Sequence, residues 1–442
     1  MSHTFSPDVI AQIQERARLG GCEVRGWGAR RAVPGFDDLL ILSAGLSPAP
    51  LDGYLEQCDT RTVLGTRNAE EPVVLDIPVT IAGMSFGALS AGAKEALGRA
   101  ATMTGTSTTT GDGGMGPVER DAARTLVYQC LPSRYGFDPD HLRSADAVEI
   151  VLGQGATPGG GGVLLGQKVT TPVAFMRDLP EGLDQRSASR HPDWTGPDGL
   201  RVKIEELREV TSWRIPVYVK IGAARVASDV RHAVEAGADV IVVDGMQGGT
   251  GAAQDVFIEH TGIPTLAATR LAADTLRGLS VENEVQLVIS GGVRSGADVA
   301  KALALGADAV SVGVAALIAL GCNSPSDDTG ADVSLGYRAL GTVPGSCTAC
   351  HTGGCPVGIA TQDDMLADRL DPDFGAERVA NYLRALTMEA AMLARACGKS
   401  SVHQLDAGDL VALTVEAAAM ARVPLAGTSW IPGVTGPHGA SG

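Results

Sequence analysis

Three of the chain's eight cysteines fall in the stretch GSCTACHTGGCPVG, Gly345 to Gly358, where Cys347, Cys350 and Cys355 follow the spacing C-x2-C-x4-C with His351 among them. Cys322 lies upstream, at the end of an apolar helical segment. Thiolates so spaced suit three chemistries. A structural zinc ion would take these three with Cys322 or His351 as its fourth ligand. A redox dithiol would need only Cys347 and Cys350, which leaves Cys355 without a role. An iron–sulfur cluster would use three or four of the thiolates. Spacing alone leaves all three open. The scattered Cys22, Cys58, Cys130 and Cys397 read as small buried apolar residues.

A second constellation is SGGVRSGADVAKALALGADAVSVG, Ser290 to Gly313. A strand ends at Gly291-Gly292, where backbone amides can approach a phosphate closely, and Ser295 with Asp298 three residues on is placed to cap the next helix. The following strand ends at Gly313, so two loops and a helix N-terminus are expected to converge on one anion, with Arg294 adding a charged donor.

The loop DGMQGGTGAAQ, holding Gly248, Gly249, Thr250 and Gly251, has the backbone freedom to lie against a flat ring. Lys220 ends the run VYVK, where its ammonium could face the pyrimidine edge of a reduced flavin and stabilise negative charge there. The plain alternative is a solvated lysine at a strand end. GQGATPGGGGVLLG, Gly153 to Gly166, lacks the GK[ST] of a nucleotide phosphate loop and reads as a lid or conduit wall. In TSTTTGDGG, Asp112 is a candidate for substrate orientation or acid/base work, with a turn aspartate as the alternative.

These residues need a scaffold. From about residue 79, short Val- and Ile-rich runs, glycine turns and helical segments alternate, which predicts repeated βα units and a parallel sheet. Runs such as Val240 to Val243 are apolar at every position, as in strands covered on both faces. About eight strands over 79–320 predict an α/β chain built on a (β/α)8 TIM barrel, with an open doubly wound sheet as the alternative. The expected organisation is an N-terminal extension (1–75), the barrel (76–321), a cysteine segment (322–365) and a helical C-terminal extension (366–442). FDDLLIL reads as the clearest buried piece before the barrel, and helices are expected near 376–396 and 408–421.

The chain has 442 residues, 44% of them hydrophobic, and a formal net charge of −16 without a cluster of Lys and Arg. That charge argues against nucleic acid or an anionic membrane surface as partner. The start MSHTFSPDVIAQIQ lacks the apolar run of a signal peptide or anchor, so a cytoplasmic protein is expected, where clustered cysteines serve as ligands or catalytic thiols.

Taken together, GMSFGALS, TTGDGG, QGATPGGGG, GGTGA, the GG(x)RxG loop and CHTGGCPVGIATQ resemble, in order from about residue 75 to 365, the FMN-binding synthase domain of glutamate synthases. The resemblance implies FMN held by Gly83, Met84, Ser85, Thr110, Gln154, Lys220, the 248–251 loop and the phosphate loops at Gly291, Gly292, Arg294 and Gly313. It implies a 3Fe-4S cluster beside the flavin, with Cys350 and Cys355 matching two ligands. The family's first ligand precedes the second by a short spacer. Here an insertion separates Cys322 from Cys350 and brings Cys347, so the third ligand is Cys322 or Cys347, and a 4Fe-4S cluster follows if both bind.

Other departures concern the substrate. The family's KMAQGAKPGEGG is VLGQGATPGGGG here, with Val151 and Thr157 in place of two lysines and Gly160 in place of a glutamate; its NTGEGG is TTGDGG, with Asp112 in place of a glutamate. Loss of lysines from a site for a dicarboxylate implies a different substrate or pose. Met1-Ser2-His3 does not match the cysteine start of the family's glutaminase, and no β-helix domain is recognisable after about residue 420. The resemblance therefore implies a split enzyme, with glutaminase-like and β-helix-like parts on partner subunits in a hetero-oligomer. FDDLLIL, STTTGDGG, RHPDWTGPD, VIVVDGMQGGT and the tail VALTVEAAAMARVPLAGTSWIPG are most similar to the FMN subunits of N-methylglutamate synthases, which implies a glutamate-derived imine and methylamine as reactants. Lys220, Asp112 and Gln154 are then the expected catalytic residues, with Asp112, Arg190 and His191 at the substrate. A split glutamate synthase and a non-catalytic electron-transfer or scaffold subunit are the alternatives.

Overall fold

The computed structural model describes residues 4–435. Met1–His3, the start of the segment read as neither leader nor anchor, and 436–442 lie outside them.

Eight strands form one parallel sheet: β1 Val79–Ile81, β2 Ser107–Thr109, β3 Thr125–Cys130, β4 Ala147–Val151, β5 Val217–Gly222, β6 Val240–Asp244, β7 Gln286–Ser290 and β8 Ala309–Val312. Their order, β1-β8-β7-β6-β5-β4-β3-β2, is that of a barrel in which every hydrogen-bonded pair is adjacent in sequence except β1 with β8. The sheet is nearly closed: β1 and β2 face each other across a seam without a ladder. There Thr106 Oγ1 donates to the Val79 carbonyl (2.6 Å) and the Asp76 amide to the Gly105 carbonyl (2.9 Å).

The strands are buried at almost every position because helices cover the outer face. Those helices are α1 Ala91–Met103, α2 Pro117–Ala122, α3 Pro139–Ser144, α4 Gly196–Val210, α5 Val226–Glu235, α6 Thr265–Leu279, α7 Gly296–Ala304 and α8 Val314–Ala319, followed by the long α9 Pro372–Ala396, which packs on α1 and α7. The N-terminal end of the barrel is closed by an antiparallel hairpin, Thr62–Leu64 with Val73–Leu75. Its Leu64, Val73 and Leu75 pack with Val127, Tyr218, Val242 and Val288 in one apolar cluster, and Gln286 Oε1 accepts from the Gly65 amide (2.7 Å).

Three expectations need correction. The stretch 408–421 is not one helix: Leu410–Ala412 is a strand paired antiparallel with Leu39–Ile41, and a helix begins only at Val415, where Thr414 caps it. Leu410 and Ala412 are buried while Val411 is not, so a period of two decides this piece. In FDDLLIL only Phe36 and Leu39 are buried, because the segment is an edge strand with Leu40 outside. Of the scattered cysteines, Cys130 and Cys397 are buried, Cys58 is half-buried and Cys22 is exposed.

The N-terminal extension reaches the barrel mouth. Val24–Arg25 pairs with Ala253–Gln254 in the loop after β6, locked by buried Arg25, whose guanidinium meets Asp255 (2.6 Å) and Glu259 (2.5 Å). Among the described residues no helix is long and apolar enough to cross a membrane.

Candidate active site

The C-terminal ends of the strands surround a cavity of about 530 Å³, within the usual range for small-molecule sites. Most of the expected residues line it: Gly83, Met84 and Ser85 after β1; Asp112; Gln154 after β4; Lys220 on β5; Gly248 to Gly251 after β6; Gly291, Gly292 and Arg294 after β7; and Gly313 after β8.

Lys220 Nζ lies 3.9 Å from Asp244 Oδ2, itself an acceptor for the Gly155 amide (2.9 Å). Asp244 Oδ1 is buried and has no hydrogen-bond partner among the described residues. A Cβ at Gly248 would stand 2.6 Å from that oxygen, so the loop lies this close only as glycine. Gly291 has φ +107°, and a Cβ there would meet the Gly245 backbone and Thr265 Oγ1 at 2.8 Å. An FMN fits what is present: a glycine-rich mouth, a strand-end cation and an orphaned buried oxygen.

The anion end differs from expectation in its donors. Ser295 and Asp298 do form the capping box of α7. The Gly296 amide, however, donates to Glu389 of α9 (2.7 Å), and the Arg294 side chain, 60% exposed, is paired with Asp37 (2.8 Å) and Asp298 (3.5 Å). The helix terminus and Arg294 are therefore already engaged, and the glycine backbone at Gly291, Gly292 and Gly313 is what the cavity meets.

Asp112 is neither a free base nor a plain turn residue: Oδ1 accepts from Ser133 Oγ (2.5 Å) and Oδ2 from Ser187 Oγ (2.8 Å), which ties three loops together. Thr110 lies behind the lining, its Oγ1 accepting from the Gln129 amide (3.0 Å). Arg190 is exposed and does not line the cavity, although its neighbour Ser189 does. His191 does not line it either; its Nε2 bonds the Val151 carbonyl (2.9 Å) and its ring stacks on Trp194 (centroids 4.8 Å apart). Burial holds its pKa below the usual histidine value. These contacts brace the loop.

Sequence reasoning missed Arg177, a buried lining residue whose guanidinium donates to the Phe86 carbonyl (2.8 Å) and to Gln185 Oε1 (3.1 Å). Its signal was a charge directly after the run TPVAFM. It also missed Trp27, whose amide donates to the Thr250 carbonyl (2.8 Å) while Gly26 donates to the Thr348 carbonyl (2.9 Å). This strap joins the glycine loop to the cysteine segment.

Cys350 lines the cavity with His351 and Thr348. The four clustered thiols are free and near one another: Cys322 feels the charges of Cys350, Cys355 and Cys347. Burial pushes the Cys350 thiol up to about 12 and raises Cys322 and Cys347 as well. Asn323 holds the two ends of the insertion together, accepting from the Cys347 amide (2.8 Å) and donating to the Cys347 carbonyl (3.2 Å) and Cys322 Sγ (3.6 Å). Lys168, pushed down to about 8 by burial, donates to the carbonyls of Cys350 (3.1 Å) and Ala88 (2.7 Å). Among the described residues no three Cys, His, Asp or Glu side chains converge on a point that a single metal ion could fill. The donors match an iron–sulfur cluster in kind.

Residues 51–326 and 330–400 match the family model described as the conserved region in glutamate synthase. A glutamate synthase large subunit-like protein of Rhizobium meliloti is 60% identical over 432 residues, covering 98% of this chain and 96% of that one. An archaeal glutamate synthase [NADPH] of Methanocaldococcus jannaschii is 36% identical over 425 residues, 90% of this chain and 79% of that one. Against the glutamate synthase [NADPH] large chain of Bacillus subtilis the match is 34% over 321 residues, 69% of this chain but 20% of that protein. Among solved structures, a lactate oxidase of Pediococcus acidilactici shares the fold, with TM-score 0.51, 16% identity and coverage of 86% and 84%. The chain therefore belongs to the glutamate synthase family, as an enzyme of the glutamate synthase type built on a (β/α)8 barrel.

Proposed function

We propose that this chain is the FMN-dependent catalytic subunit of a split glutamate-synthase-like enzyme that makes N-methyl-L-glutamate from L-glutamate and methylamine, releasing ammonia. Two electrons leave the Cα–N unit of glutamate, methylamine replaces ammonia at the resulting imine carbon, and the same two electrons return as hydride. FMN, when bound, supplies the electron store. Lys220 would set its amino group beside a flavin bound at the mouth, where reduction adds negative charge, and Asp112 and Arg177 fix the loops around the cavity.

The observation that carries the choice of substrate is the wall formed by Val151, Leu152, Gln154, Thr157 and Gly160, which faces the cavity without a cation. The apolar Val151 suits the methyl group that methylamine brings and ammonia lacks. The cysteine segment is assigned to an iron–sulfur cluster, 3Fe-4S on Cys350, Cys355 and either Cys322 or Cys347. Partner subunits carrying glutaminase-like and β-helix-like parts, in a cytoplasmic hetero-oligomer, complete the reading.

The test is an assay of the purified complex with glutamate plus methylamine against glutamine plus 2-oxoglutarate. Turnover with the first pair supports the proposal. Turnover with the second alone replaces it by a split glutamate synthase, the reading that the names of the relatives favour.

A further inference from the structure

Beneath the mouth cavity the barrel encloses a second space of about 20 Å³, lined among others by Thr80, Thr109, Glu149, Tyr218, Lys220 and Ser311. That is room for one water molecule. The Tyr218 hydroxyl on this wall is buried without a hydrogen-bond partner among the described residues, which a water would relieve. Glu149 is buried beside it and accepts a hydrogen bond from Gln129 Nε2. Lys220 lines both cavities, as do Ala82, Gly83 and Ser311, so these residues lie between this space and the mouth.

The charged groups around Glu149 are few. Lys220 on β5 and Asp244 on β6 act on it, and Gln129 on β3 is neutral. Thr80, Thr109 and Ser311, from β1, β2 and β8, bring only hydroxyls, and the closing hairpin brings Leu64. Burial raises the Glu149 pKa, with Lys220 and Gln129 opposing. Burial also raises that of Tyr218, which stays a neutral donor.

We propose that Glu149, with one water enclosed beside Tyr218, is a proton-holding site beneath Lys220 that loads and unloads in step with flavin oxidation state. A flavin bound at the mouth, which Lys220 lines, would gain one negative charge on reduction by hydride. The Glu149 carboxylate then takes one proton from solvent water, and reoxidation returns it. The summed charge of ring and site is thereby the same before and after reduction. Glu149 touches neither ring nor substrate and acts through Lys220, as a positioning residue. The proposal rests on the functional reading above, since it requires a flavin at the mouth.

Potentiometric titration of the flavin in the purified complex tests it, over a series of pH values. Each proton taken up with two electrons changes the reduction equilibrium tenfold per pH unit, about 30 mV. Wild type is expected to show two protons per two electrons over the window where Glu149 titrates, and Glu149→Gln only one. In wild type alone, the reduced-minus-oxidised infrared spectrum is expected to gain a protonated carboxyl band, which Tyr218→Phe shifts by loosening the water. Equal slopes in wild type and Glu149→Gln, or no carboxyl band in wild type, overturn the proton site and leave the functional reading standing. A purified complex without flavin overturns both.

Discussion

Lys94 Nζ lies 2.6 Å from Glu119 Oε1, and the same ammonium donates to the carbonyls of Met84 (2.6 Å) and Thr110 (2.8 Å). Both side chains are buried. Met84 follows β1 and Thr110 follows β2, the two strands that share no ladder, so a lysine from α1 ties the seam at its mouth end. A side chain thus replaces backbone pairing beside the loops expected to hold the flavin.

Replacing Lys94 by Met should therefore cost about 3 kcal/mol or more, because carbonyls and a carboxyl remain buried without their donor. Chemical denaturation measures that loss. The flavin content of the folded fraction should fall with it, since Met84 and the 110–112 turn lose their tie. Unchanged flavin content in a destabilised variant would show that the seam matters only for folding.

The same pair has a pH signature. Burial pushes the Glu119 carboxyl up to about 7, against the pull of Lys94 and Arg120, while Lys94 is held below the usual lysine value. A carboxyl raised above its unfolded value binds more protons folded than unfolded, so its contribution falls as pH rises from about 4.5 through 7. Wild type should lose stability over that window relative to Glu119→Gln, by an amount on the order of 1–3 kcal/mol. Denaturation midpoints of the two proteins at either end of the window check the difference.

Much of this was legible in the sequence where chemistry is local. The apolar runs of β5, β6 and β7, the Ser295–Asp298 cap and the strand-end Lys220 all declare themselves within a few residues. What was not legible depends on distant partners. Lys94 and Glu119 read as polar positions of α1 and α2, and only the closing of the barrel brings them together. Val24 meets Gln254 across most of the barrel's sequence, so nothing near Trp27 signals a place at the mouth. Arg190 and His191 do not line the cavity, and a polar loop motif cannot show that His191 turns inward to the Val151 carbonyl.

At the anion end, Gly291→Ala should be severe although the change is one methyl group. The residue sits at φ +107°, and the added carbon would meet backbone and Thr265 Oγ1 at 2.8 Å. The left-handed strain and the clash act together, so a loss of about 2 kcal/mol or more is expected. Isothermal titration of the apoprotein with FMN should show at least a tenfold weaker affinity. Arg294→Ala should bind FMN almost as wild type does, because its guanidinium is already paired with Asp37 and Asp298.

Arg25 offers the clearest test of the N-terminal strap. Its guanidinium joins Asp255 and Glu259 and also donates to the Gly28 carbonyl (2.9 Å). Arg25→Ala leaves Asp255 buried without its partner, a change expected to cost about 3–5 kcal/mol if the strap stayed in place. Release of the strap avoids most of that cost, because water can then reach the carboxylates. The expected outcome is therefore a folded barrel with modest loss of global stability but early proteolytic cleavage near residues 20–31. Gly26 and Trp27 would at the same time let go of Thr348 and Thr250, so the iron proposed for the cysteine segment should be held less well. A variant with intact iron content and no early cleavage would mean that the Val24–Gln254 pairing holds the strap without Arg25.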